Sequence, residues 1–212
     1  MKKKLFSLFL ILMLVGCVAC GKSGSSEDAQ NEADANLLTR ESEGLLSGQY
    51  NIEIEYEKFG TIALTLDADI APVSVTNFIN LVNQDFYDGL VMHRIIRGFM
   101  MQGGAPASGE DSLQNIQGEF ASNGIENNLK HTRGVISMAR ADEYNSGSCQ
   151  FFIVHQDSTF LDGQYAAFGQ VTEGIEIVDE ICTSAQPTDS NGTSPNAAQP
   201  VINSITIRTE AK

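Results

Sequence analysis

Met92-His93-Arg94-Ile95-Ile96-Arg97-Gly98-Phe99-Met100-Met101-Gln102-Gly103-Gly104 is the stretch on which the reading of this chain turns. It alternates like a strand. Counted by two, Arg94, Ile96, Gly98, Met100 and Gln102 share one face, and His93, Ile95, Arg97, Phe99 and Met101 the other. One face thus carries a guanidinium, a carboxamide and apolar side chains, a set able to hold a polar amide beside an apolar ring. Strict alternation turns Phe99 away from Arg94, so a bulge or turn at Gly98 is needed to bring it back.

Outward from this stretch the pattern stays β-rich. Asn51–Tyr56 alternates, Phe59-Gly60 turns, and Thr61–Leu66 runs back, which predicts a hairpin. Pro72 opens a helix in which Val75, Phe78, Ile79, Leu81 and Val82 fall at helical spacing. Short strands are expected at Leu90–Arg94, Phe99–Gln102, Val135–Met138, Phe151–Val154 and Ala167–Val171. A second helix is expected over about Glu173–Ile181, and a last strand over Ile202–Ile207. Residues 183–200 hold Pro187, Pro195 and Pro200 and read as a long surface loop. Many short strands with two helices predict a sandwich or a barrel, between which periodicity does not choose.

Composition narrows the function. The 212 residues carry 27 acids against 13 lysines and arginines, a formal charge of -14. Outside the extreme N-terminus there is no basic cluster, which excludes a phosphate-backbone-binding face and with it nucleic acid. The first residues form a targeting segment. Lys2, Lys3 and Lys4 precede an apolar run from Leu5 to Val15 that is too short to span a bilayer. It ends in Leu14-Val15-Gly16-Cys17, which resembles the lipobox of bacterial lipoprotein precursors. That resemblance implies a signal peptide over 1–16 and lipidation of Cys17. It also implies an extracytoplasmic protein lipid-anchored to the bacterial cell membrane. Removing three lysines would leave the mature chain at -17, and a diacyl anchor supplies the two chains that stable attachment needs. Residues 17–48, polar and small, are expected to be a flexible linker, and 49–212 the folded domain.

Cys149 and Cys182 sit in apolar contexts and read as small buried hydrophobes. His93 and His155 read as packing or hydrogen-bonding residues, and His131, in a polar stretch, as one with no specific role. No cluster at metal-ligand spacing accompanies any of them, and no metal is expected.

Four blocks in register carry a family resemblance: Arg94–Gln102, Val135–Arg140, Ser148-Cys149-Gln150-Phe151-Phe152-Ile153, and Phe160-Leu161-Asp162-Gly163-Gln164-Tyr165-Ala166-Ala167-Phe168-Gly169. Together they resemble the cyclophilin-type peptidyl-prolyl isomerases over about residues 50–208. The resemblance implies a mainly β fold, a closed eight-stranded antiparallel barrel capped by two helices, with substrate in an outer groove. It implies catalysis of X–Pro rotation without cofactor, with Arg94 as the cation beside the prolyl nitrogen. Gln102 would hold the substrate backbone and support that guanidinium. Phe99, Met100, Phe152 and Leu161 would receive the proline ring. The main chain at Ala139-Arg140 would pair with the peptide, and Gln150 belongs to the same groove. Phe160 and Tyr165 stand where many members have Trp and His, so the resemblance implies activity with weak inhibition by cyclosporin. The implied partners are proline-containing unfolded or exported polypeptides, met by a monomer. The competing reading is a proline-peptide binding or holdase module with incidental turnover.

Overall fold

The computed structural model describes residues 37–106 and 113–208. The targeting segment, Cys17 and the linker as far as residue 36 lie outside the described residues. Eight strands and two helices follow in chain order: β1 (Gln49–Tyr56), β2 (Gly60–Asp67), α1 (Pro72–Val82), β3 (Arg94–Ile96), β4 (Met100–Gly103), β5 (Val135–Met138), β6 (Phe151–Val154), β7 (Ala167–Glu173), α2 (Ile175–Ser184) and β8 (Ile202–Ile207). The strands form one sheet in the order β3-β4-β6-β5-β7-β2-β1-β8, and every neighbouring pair is antiparallel.

The sheet curls until its two edges meet. They do not join through a regular ladder. Gly89 N–H donates to Ile202 O at 2.8 Å, Ile202 N–H to Leu90 O at 2.8 Å and Met92 N–H to Pro200 O at 2.9 Å. Further along, Ile95 N–H reaches Gly192 O at 2.8 Å and Ser194 N–H reaches His93 O at 2.9 Å. Residues 183–200, expected to be a surface loop, therefore supply three of these five bonds. The strand expected at Leu90–Arg94 is displaced for the same reason: residues 89–93 bond irregularly to the C-terminal segment, and regular pairing starts only at Arg94.

Period-two alternation fills the inside. Ile95, Met101, Ile153 and Ile136 lie opposite one another across β3, β4, β6 and β5, and all four are buried. An eight-stranded barrel has room for little more than such side chains. Both helices add to the same cluster: α1 through Val75, Phe78 and Ile79, α2 through Val178 and Ile181. The Phe78 ring lies 5.5 Å from Phe151, edge-on, and 5.4 Å from Phe168. Cys149 and Cys182 are buried in this cluster, as their apolar contexts foretell, and burial pushes the Cys182 thiol up to about 12.

Residues 37–48 are not a free linker. Leu38 bridges Ile116 in parallel, its N–H donating to Asn115 O at 3.3 Å and its carbonyl accepting from Gln117 N–H at 2.8 Å. Leu38, Leu45 and Leu46 pack on the core, so these leucines anchor the segment as a strap. Nearby, fully buried Glu119 accepts from Val73 N–H at 3.2 Å, Ser74 N–H at 2.8 Å and Ser74 Oγ at 2.8 Å. It thereby satisfies donors that the first turn of α1 leaves open. Arg40 from the strap lies 3.9 Å from the same carboxylate.

Glu119→Ala strands those donors in the interior and should cost about 2–4 kcal/mol. Arg40→Ala removes only a long contact from a side chain one-third exposed and leaves the three hydrogen bonds of Glu119 in place, so it should cost under about 1 kcal/mol. Urea unfolding of the two variants checks the contrast.

Candidate active site

The β3–β4 hairpin sets the first two groups. Arg94 pairs with Gln102 and Ile96 with Met100, leaving Arg97, Gly98 and Phe99 as a three-residue turn. Gly98 adopts φ +84°, open to glycine at little cost. Its N–H donates to His155 Nδ1 at 2.9 Å, and His155 N–H donates to Phe99 O at 2.8 Å. Phe99 thus leaves the strand alternation and turns onto the face of Arg94 and Met100. The turn required at Gly98 is the one observed.

Arg94 is fixed twice. Its Nη1 donates to Gln102 Oε1 at 3.2 Å and its Nε to the Asn191 carbonyl at 2.8 Å. Gln102 Nε2 in turn donates to Gln150 Oε1 at 3.0 Å, so Gln102 is oriented from both ends. Asn191 belongs to the segment that closes the barrel. Gly192 beside it (φ +86°) packs so tightly on β3 that a Cβ would meet Ile95 O at 2.7 Å.

Register carries the site across the sheet. Arg94, Gln102, Phe152 and Ser137 are successive cross-strand partners on β3, β4, β6 and β5, on the face opposite the barrel interior. Here a second apolar cluster forms, separate from the core, with Met100, Phe152, Val154 and Leu161 buried and Phe99, Ala139 and Tyr165 packed against them. Burial on both faces explains why β6 reads Phe-Phe-Ile-Val without alternation of polarity. Ten of the eleven residues expected at the site line one cleft of about 290 Å³: Arg94, Gln102, Phe99, Met100, Ala139, Arg140, Phe152, Phe160, Leu161 and Tyr165. Gln150 lines an adjoining cleft of about 270 Å³ that shares Gln102, Ala139 and Arg140 with the first. Phe160 is two-thirds exposed at the rim, its ring 5.5 Å from Phe99. Tyr165 meets Phe152 edge-on at 5.8 Å.

Sequence reasoning missed the support beneath the cleft. His131, expected to have no specific role, is 1% exposed. Its backbone N–H donates to Asp162 Oδ1 at 2.8 Å, its Nδ1 lies 3.0 Å from the same oxygen, and its Nε2 lies 3.0 Å from Ser137 Oγ. A carboxylate only accepts, so Nδ1 carries the ring proton and Nε2 accepts from the Ser137 hydroxyl. The imidazole stacks on Phe152 at 6.0 Å, interplanar angle 16°. His131, Ser137 and Asp162 therefore brace the ring at the cleft floor. The three lie up to 31 residues apart, and nothing in local spacing marks them as partners. Phe120, which lies against Arg140, was equally invisible.

Burial is the first cause that lowers His131, His93 and His155 below the ordinary imidazole value, with the Asp162 carboxylate opposing it at His131 and Asp179 at His155. A depressed histidine leaves stability complete above the unfolded value, about 6.5, and removes it as pH falls below that toward the folded value. The urea midpoint should therefore drop between pH 7 and pH 5. His131→Gln should lower it at pH 7 and make this part of the pH profile shallower. A variant that keeps the full wild-type slope would acquit His131 of the effect.

Comparisons with known proteins agree with this geometry. The family described as cyclophilin type peptidyl-prolyl cis-trans isomerase/CLD matches residues 51–208. The chain is 47% identical over 127 residues to peptidyl-prolyl cis-trans isomerase A of Dickeya dadantii, a span of 58% of this chain and 66% of that one. It is 35% identical over 154 residues to a peptidyl-prolyl cis-trans isomerase of Acinetobacter baylyi, covering 70% and 80% of the two chains. A crystal structure of a cyclophilin type peptidyl-prolyl cis-trans isomerase from Cryptosporidium parvum shares the fold, with TM-score 0.66 at 24% identity over 77% of this chain and 99% of that one. A second, determined in the presence of the dipeptide Ala-Pro, gives TM-score 0.65. With a family match running from β1 past β8, the chain belongs to the cyclophilin-type peptidyl-prolyl cis-trans isomerases.

Proposed function

We propose that this isomerase acts on exported polypeptides outside the cytoplasm, tethered to the membrane through Cys17, and that Arg94 carries its catalysis. The observation that carries the catalytic part is the doubly fixed guanidinium standing over an apolar floor, with Nη2 bonded to no described residue.

An X–Pro amide resists rotation by about 18–20 kcal/mol because resonance stiffens its C–N bond. Twisting the bond breaks that resonance and returns a lone pair to nitrogen. A cation held beside the nitrogen stabilises the twisted amide more than either planar form, which is the requirement for catalysis. Arginine suits the role because it never deprotonates and presents a planar donor fork. Gln102 and the Asn191 carbonyl hold the fork still, so it need not reorganise as the bond turns. Phe99, Met100, Phe152 and Leu161 anchor the proline ring while Ala139 and Gln150 hold the flanking peptide, leaving rotation about one bond. No proton moves in this scheme. The substrate class follows from the apolar floor, and the relative crystallised in the presence of Ala-Pro supports it.

The extracytoplasmic setting rests on Lys2-Lys3-Lys4, the short apolar run and Leu14-Val15-Gly16-Cys17. Nineteen residues of the sequence lie between Cys17 and Leu37, the first described residue.

Two measurements test the proposal. Isomerisation of a short X–Pro peptide by the full chain should be rapid, and Arg94→Ala should lose about 10²–10³ in kcat/KM with an unchanged unfolding midpoint. A folded Arg94→Ala protein with wild-type rate would remove the electrostatic role. In bacteria fed labelled fatty acid, the chain should take up label and fractionate with membranes, and Cys17→Ser should do neither. Label retained by Cys17→Ser would place the anchor elsewhere.

A further inference from the structure

We infer that Arg140 makes the cleft selective for peptides carrying an acidic residue within a few positions of the proline. This deepens the isomerase reading of the cleft and rests on it.

Arg140 is held as rigidly as Arg94. Its guanidinium carbon lies 4.8 Å from the ring centre of Tyr165 and 5.3 Å from those of Phe120 and Tyr144. Nε donates to the Gln164 carbonyl at 3.0 Å, and Nη1 to the carbonyls of Ala141 at 2.8 Å and Asp142 at 3.0 Å. Every one of these partners is neutral. Nη2 bonds to no described residue, so one donor edge and the full charge remain open to a ligand. Three rings and three carbonyls fix the side chain in advance, so binding an anion there costs little side-chain ordering.

The charge pattern of the chain gives this arrangement its meaning. Acids outnumber lysines and arginines by 27 to 13, and among the described residues Arg40, Arg133 and Arg208 are ion-paired. Arg94 and Arg140 form no such pair. Asp142 and Glu143 follow Arg140 in the chain and are exposed, yet neither carboxylate comes into ion-pair range of it. The residues lining the two clefts include these two arginines and no carboxylate. An acidic protein thus presents a cationic groove at the one place where peptide is expected.

Position follows from the shared wall. Arg140 lines both the cleft with the apolar floor and the adjoining one, where Ser146, Ser148 and Gln150 add neutral polar groups. An extended peptide advances about 3.3 Å per residue. With proline on the floor, a side chain two or three residues away falls beside Arg140. A carboxylate there meets an open guanidinium edge, and a lysine meets repulsion.

The test is a set of short Ala-Pro peptides in which one position, up to three residues from proline on either side, is Ala, Glu or Lys. Each is turned over by the full wild-type chain, by Arg140→Gln and by Arg140→Lys. At one or more positions the wild type should prefer Glu to Ala by about three- to fivefold in kcat/KM and disfavour Lys. Salt at 0.5 M should shrink the preference, since screening acts on such pairs. Arg140→Gln should bring the Glu:Ala ratio to about one, and Arg140→Lys should keep part of it. The ratio is internal to each protein, so a general loss of activity does not imitate the result. A wild type that treats Glu and Ala alike at every position, or a Glu preference that survives in Arg140→Gln, overturns the inference. Absence of turnover on every peptide by folded wild type would instead sink the isomerase reading. The same Glu:Ala ratio taken from Kd would then decide the Arg140 inference alone.

Discussion

A curled eight-stranded sheet has an inside that side chains fill completely, and this constraint governs everything else in the molecule. Alternation along each strand must send one set of residues into that space and leave the other set outside. Ile95, Met101, Ile153 and Ile136 occupy the interior row. Their immediate neighbours Arg94, Gln102, Phe152 and Ser137 are thereby committed to the outer face. No pocket for a peptide could open inward without emptying the core, so the groove is external, and its groups arrive in order because the register delivers them in order. A slip of one residue in β4 would send Gln102 inward and Met101 into the cleft.

The Met92–Gly104 stretch shows how far sequence reaches and where it stops. Alternation placed Arg94, Met100 and Gln102 together, and the conflict over Phe99 pointed to the turn at Gly98, because both are consequences of local backbone geometry. The resemblance supplied the order of the blocks and so the barrel and the cleft lining. What stayed hidden depends on contacts distant in the chain. His131 looked idle because its partners Ser137 and Asp162 are assembled by packing and carry no spacing of their own. The Asn191 carbonyl that holds Arg94 is backbone, about which side-chain pattern says nothing. Residues 37–48 read with the polar stretch before them, because four leucines scattered among polar residues and glycine give no sign that Leu38 will bridge Ile116. Strand ends at residues 89–93 were misplaced because the C-terminal segment, and no local signal, decides where regular pairing begins.

The two arginines of the cleft illustrate two ways of holding a cation without neutralising it. A carboxylate partner would fix a guanidinium and cancel its field at once. Arg94 is held by a carboxamide oxygen and a main-chain carbonyl, Arg140 by three carbonyls and three aromatic faces. Dipoles and ring quadrupoles orient the charge but leave it available.

The segment that shuts the barrel also delivers the acceptor for Arg94, and the two events cannot be separated. Residues 191–202 follow strands β1 to β7 in the chain and are synthesised after them. Until they are laid against β3, the hairpin has its guanidinium but not the carbonyl that steadies it, and Gly192 does not yet lie against Ile95. A chain still short of that segment, or clipped within it, consequently lacks the second hold on Arg94 even if its earlier strands have formed. Closure of the sheet and completion of the Arg94 clamp are therefore one event.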